Sequence, residues 1–396
     1  MARALPFLLL LGLFAGCAAS EPSGIDAGEA ADATGADTGL TIDSGTVQDA
    51  KVLPDAEPVD SGAPVDAAAD AGLEDGGPAP DSGQDAGPPD MDAGSVPDAG
   101  PMAAPDPAQV GPFTSTAYAE TLVVPASGND LPMDCEYPTA GPAAGPFPAV
   151  LIGHGFQLPA AQYRGYAQRL ASFGYVACTA DFRATIIAHH AENALDIVGG
   201  VDWLLAVNAQ TGHPLFGKVA PTQIGLMGHS LGGKVAFLAA AQDARVAAVF
   251  GLDPVDSSSF CSAARCPDAT DMLPFTIPVG VLGETIDSSG SLQNCAPAAD
   301  NFQTFYEAAS SPAYEADVLG ANHMSFIDDP STCGLPCSAC QAATAPHNEV
   351  IELARAMTVA FFERYLRQDT RYDSYLSGVM AQQRYVQPGR AVIRTK

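Results

Sequence analysis

The stretch that most constrains this chain is residues 223–237, centred on Ser230. Ile224, Leu226 and Met227 form a short apolar run of strand character, and 231–243 carries Val235, Phe237 and Leu238 as a helix would. Between them lies Gly228-His229-Ser230-Leu231-Gly232, a G-x-S-x-G. Strand, tight turn and helix is the setting in which this pattern presents a nucleophilic serine. The serine must take strained backbone angles for its hydroxyl to stand clear of the sheet, and a Cβ at either flanking glycine would crowd that turn. The N–H groups that open the helix then point where negative charge develops. A glycine-rich turn with an idle serine is the bland alternative, and the flanking strand and helix argue against it.

The elements around this turn alternate. Edge strands are expected at 119–124 and 133–137, and 148–153 is a continuous apolar run suited to a strand covered on both faces. A helix at 162–173, a strand at 175–179 and a helix at 193–207 follow. Beyond the serine helix come strands at 246–252, 277–282 and 314–318 and a closing helix at 349–366. Such alternation predicts an α/β fold, a mostly parallel sheet with helices on both faces, whose active groups sit at the carboxyl ends of the strands.

A serine nucleophile needs a base, and the base needs a carboxylate. The histidines are 154, 189, 190, 213, 229, 323 and 347. His323 follows the last core strand and completes the order Ser, acid, His. His154 is better placed to pack its own loop, and His229 points away from the adjacent hydroxyl. His189 and His190 have no patterned metal partners. For the acid, the apolar run 246–252 delivers Asp253 to the sheet edge, with Asp256 as its nearest rival. Glu284 and Asp287 remain alternatives on the next strand, or solvated residues of a Gly/Ser-rich loop. The oxyanion is expected on two backbone N–H groups, those of Phe156 and Leu231.

Charge divides the chain. The net charge is −29 over 396 residues, and 18–110 holds 20 acidic side chains against Lys51 alone. That acidity excludes a nucleic-acid binder, which needs a basic face. From Ala18 to Pro107 the composition is Asp, Ala, Gly and Pro, with Asp-Ala-Gly recurring and no apolar periodicity. Such a segment cannot offset its ordering entropy and is read as a flexible stalk. Ahead of it, 1–17 has the form of an export signal, with Arg3, an apolar stretch at 5–14 and Ala15-Gly16 before Cys17. The expected division is therefore 1–17 signal, 18–107 linker and 108–396 folded domain.

Two resemblances sharpen this. Phe14-Ala15-Gly16-Cys17 resembles a bacterial lipobox, which implies acylation of Cys17, a membrane anchor and, with Ala18 next, outer-membrane or cell-surface sorting. A plain cleavable signal is the alternative. Gly111-Pro112-Phe113, Gly153-His154-Gly155-Phe156, Gly228 to Lys234, Gly251 to Asp256, Asn294-Cys295-Ala296-Pro297 and Asn322 to Asp329 resemble the chlorophyllase branch of the α/β-hydrolases. That branch lies near the platelet-activating-factor acetylhydrolases and cutinase-like polyester hydrolases. The resemblance spans about 111–368 and implies ester hydrolysis by Ser230, Asp253 and His323, without metal or organic cofactor. The expected substrate is a small or lipid-like apolar ester, with Phe156, Leu231, Met324 and Phe326 around the site, and the expected state is a monomer. A hydrolase fold kept only as a surface binding module, or an acyl transferase, is the rival.

Besides Cys17 there are eight cysteines, 135, 178, 261, 266, 295, 333, 337 and 340. Export favours disulfides over a zinc site built from the last four. The fold that the resemblance implies sets the strand of Cys135 beside that of Cys178. Cys261 and Cys266 are near enough in sequence to pair, leaving Cys295 to pair within 333–340.

Overall fold

The computed structural model describes residues 103–396 apart from 186, 258–260, 274–275 and 289–293. The stretch 1–17 expected to be an export signal, with Cys17, and the acidic stretch up to residue 102 lie outside the described residues. Among those described, no helix is long and apolar enough to cross a membrane.

The strands are β1 (Thr114–Val123), β2 (Asp130–Ala140), β3 (Phe147–Gly153), β4 (Val176–Ala180), β5 (Val219–His229), β6 (Val246–Leu252), β7 (Val279–Glu284), β8 (Ala313–Val318) and β9 (Ala391–Thr395). They form one sheet in the order β1-β2-β4-β3-β5-β6-β7-β8-β9. From β4 to β8 every pairing is parallel, while β1, β2 and β9 run antiparallel to their neighbours. The chain is therefore an α/β protein built on a mostly parallel sheet.

Side chains alternate across the sheet as the pleat requires. Leu151, Leu226, Val249 and Val281 face a core closed by helices α2 (His190–Ala209), α3 (Leu231–Gln242) and α4 (Phe302–Ala308). Val150, Ile152, Met227, Phe250 and Leu282 face the other, closed by α1 (Arg164–Ser172) and α5 (His347–Tyr365). Both faces of the central strands are buried, which is why they read as continuous apolar runs.

Two departures from the sequence reading matter. β7 runs on to Glu284, so Glu284 and Asp287 are buried rather than solvated loop residues. The chain after α5 was assigned no element from the sequence. It returns to add β9 beside β8, and Arg384 grips Asp106 with two bonds of 2.6 and 2.7 Å, tying the end of the chain to its entry.

The cysteines pair as Cys135–Cys178, Cys261–Cys266, Cys295–Cys340 and Cys333–Cys337. Cys135 and Cys178 stand directly opposite each other on β2 and β4. Asp287, Cys295 and Cys340 are close enough to suggest a metal site, but both sulfurs are spent on their disulfide.

Candidate active site

β5 ends at His229, and α3 starts at Leu231, leaving Ser230 alone at the junction with φ 55° and ψ −122°. For a residue with a Cβ this conformation is strained by roughly 1–3 kcal/mol. It is held by three backbone bonds: Ser230 N–H to the Leu252 carbonyl, and the Ser230 carbonyl to the N–H groups of Lys234 and Val255, at 3.0, 3.1 and 3.3 Å. A Cβ at Gly228 would strike the backbone of Gly232, and one at Gly232 would strike Gly153. Turn, helix and the loop after β3 can approach this closely only because those positions are glycine.

The carboxyl ends of β6 and β8 bring the other two groups. Asp253 leaves β6 with φ 42°, and its N–H bonds the Leu282 carbonyl at the end of β7, 2.6 Å away. His323 opens a short turn after β8, capped reciprocally by Asn322 and Ser325. His323 Nε2 lies 2.8 Å from Ser230 Oγ, and Nδ1 lies 2.6 Å from Asp253 Oδ2. The aspartate requires the proton on Nδ1, so Nε2 is free to accept the serine proton. Burial holds the His323 imidazole down at about 4, against the pull of the Asp287 charge, so the ring is neutral at ordinary pH. Burial and the Asp287 charge also push the Asp253 carboxyl up.

Phe156 occupies the turn after β3, closed by Leu158 N–H to the Gly155 carbonyl at 3.1 Å, with Gln157 at φ 56°. Leu231 is the first residue of α3, so its N–H has no acceptor within the helix. Of the side chains expected around the site only Phe156 is open to solvent, at 42% exposure; Leu231, Met324 and Phe326 belong to the buried core.

The rival acids have other work. Asp256 pairs with Lys234, whose ammonium is fully buried 2.6 Å away. Asp287 accepts the backbone N–H of His323 through Oδ2 and that of Gln341 through Oδ1, both at 2.8 Å. Glu284 Oε2 accepts the Asp287 N–H at 2.5 Å. His154 packs its loop, its ring nitrogens lying 2.8 and 2.9 Å from the Gly155 and Phe182 carbonyls. His189 is exposed beside Glu192, and His190 is buried with Nδ1 unpartnered among the described residues.

Two contributors were not read from the sequence. Tyr163 donates to His229 Nδ1 at 2.7 Å while accepting the Gly155 N–H at 3.1 Å. Lys234 neutralises Asp256 from within the serine helix. Both links join residues distant in sequence, and no local pattern announces them.

The Chlorophyllase family model matches residues 132–388 of this chain. Chlorophyllase-2 of Arabidopsis thaliana is 24% identical over 246 residues, covering 57% of this chain and 76% of its own length. Chlorophyllase-1 of Citrus unshiu is 27% identical over 188 residues, 47% of this chain and 57% of its own. A bis(hydroxyethyl) terephthalate hydrolase of Streptomyces coelicolor is 25% identical over 288 residues, 69% of this chain and 78% of its own. With the sheet order, the serine turn and these matches together, the chain belongs to the chlorophyllase family and is an ester hydrolase of the α/β-hydrolase type.

Proposed function

We propose that the protein is a serine carboxylic-ester hydrolase for apolar esters, with Ser230, His323 and Asp253 as its catalytic groups. The hydrogen-bonded line Asp253–His323–Ser230, with spacings of 2.6 and 2.8 Å, carries this reading. Ser230 Oγ attacks the ester carbonyl as its proton passes to His323 Nε2. The carbonyl oxygen takes the negative charge toward the Phe156 and Leu231 N–H groups. His323 returns the proton to the departing alcohol, and water then cleaves the acyl-serine by the same route. Asp253 keeps the imidazole in its Nδ1–H tautomer throughout.

The apolar preference is supported by Phe156, Ile187 and Met272, large hydrophobic side chains exposed on the loops that leave β3, β4 and β6. The test is labelling by a fluorophosphonate probe followed by a chain-length series of chromogenic esters, extended to bis(hydroxyethyl) terephthalate. Ser230→Ala should lose both labelling and turnover. An unlabelled wild-type protein with no ester turnover would mean that the fold serves as a binding module.

We also infer that Cys17 anchors the protein to a membrane through its acyl chains, the stretch 18–107 acting as a tether. Cys17→Ser should move the protein from the detergent phase to the aqueous phase, and unchanged partitioning would remove the anchor.

A further inference from the structure

The chain that leaves β6 past Asp253 carries Met272, exposed beside the carboxyl edge of the sheet. Asp256 ties this loop down. Its Oδ1 lies 2.6 Å from the ammonium of Lys234, which is fully buried in α3 one helical turn beyond Ser230. The same ammonium donates to the Asp256 carbonyl at 3.2 Å. Through Oδ2, Asp256 accepts the N–H groups of Ala269 and Thr270 at 2.9 and 3.3 Å, where the short turn Thr270–Met272 opens. Asp268 also accepts the Thr270 N–H, at 2.8 Å, but stays beside the turn, whereas Asp256 reaches across to α3. Farther along, Arg265 Nη2 donates to the Ala188 carbonyl and the Ala191 N–H to the Arg265 carbonyl, both at 2.9 Å. Those bonds bring in the exposed Ile187, next to Ala188. One loop therefore sets two apolar side chains of the mouth relative to the serine helix.

A buried ion pair is a poor way to gain stability, because apolar side chains of the same volume often hold two elements together at least as well. What the pair adds is a directed link between one point on α3 and one point on the loop. Resting on the ester-hydrolase reading above, we propose that Asp256 is a positioning residue for substrate selection. Through Lys234 it fixes the Met272 turn on the serine helix, and so sets the apolar wall that receives the larger group of the ester.

The double variant Lys234→Met/Asp256→Asn removes the link without leaving either charge buried alone. Its kcat/KM for p-nitrophenyl octanoate relative to the acetate should fall about tenfold, the scale of a lost apolar subsite contact, with most of the fall in the octanoate KM. Hydrogen exchange across 261–273, which needs no turnover, should quicken in the same variant. Met272→Ala should lower the octanoate-to-acetate ratio in wild type and add little in the double variant, because both changes spoil one wall. A merely structural pair would lower Tm and depress both esters alike, leaving the ratio where it was. That result, or a ratio that falls with no quickening of exchange, or additive effects with Met272→Ala, overturns the proposal. Should the double variant fail to fold, Asp256→Glu keeps the charge and displaces the turn by one methylene, and an unaltered ratio there overturns it equally. Wild type turning over neither ester would overturn the hydrolase reading and the selective role together. An active wild type with an unaltered ratio in the variants would overturn the positioning alone.

Discussion

His229 Nε2 donates to the backbone carbonyl of His323, 2.9 Å away, so the residue beside Ser230 holds the main chain of His323. The direction is set from behind. The Tyr163 hydroxyl accepts from Gly155 and so must give its own proton to His229 Nδ1. Burial keeps the His229 imidazole neutral, well below its ordinary range. His229→Leu should leave a buried carbonyl unpaired and loosen His323. We expect kcat to fall about 10- to 100-fold at nearly unchanged KM, as for a misplaced catalytic group. Tyr163→Phe should give a smaller fall of the same kind. Wild-type kcat in His229→Leu would mean that this bond does not position the base.

Asp253 and Asp287 both serve His323, but through different atoms. Asp253→Asn removes the carboxylate that selects the imidazole tautomer and should lower kcat by about 10⁴-fold. Asp287→Asn touches only backbone N–H groups, and a loss of about 10- to 100-fold is expected. Steady-state kinetics with circular dichroism on both variants would show this ranking, and its reversal would make Asp287 the acid.

Because burial holds His323 at about 4, its free-base form should persist into mildly acid solution. Below that value the ring is protonated and cannot take the serine proton; above it the ring is competent. The acid limb of kcat/KM is expected well below the ordinary imidazole value of 6.5. A limb at or above 6.5 would show that the Asp253 charge outweighs burial.

The disulfides should separate by effect. Cys135–Cys178 joins β2 to β4 and touches no catalytic group, so its removal should cost about 2–5 kcal/mol of stability and leave kcat unchanged. Cys295–Cys340 anchors the residue before Gln341, whose N–H binds Asp287. Replacing both of those cysteines by serine should lower kcat as well as Tm. Thermal melts and kinetics on the two double variants, run in parallel, check the contrast; equal kcat losses would contradict it.

The sequence by itself determined the parts whose physics is local. Central strands covered on both faces must be continuous apolar runs, and a serine on a sharp turn between strand and helix must be flanked by glycines. The order of these elements then placed Ser230, Asp253 and His323 at one edge of the sheet. What the sequence left open was which buried polar group meets which. Asp256 was the nearest rival of Asp253 in sequence, and a Lys234 buried one helical turn beyond Ser230 claims it. Glu284 and Asp287 read as solvated loop residues because Gly and Ser follow them. The extension of β7 and the turn after β8 bury both against His323. The return of 391–395 to the edge of β8 was equally invisible, because strand pairing is a contact between distant segments. A buried charge is tolerated only where folding supplies its partner, and that partner comes from another part of the chain.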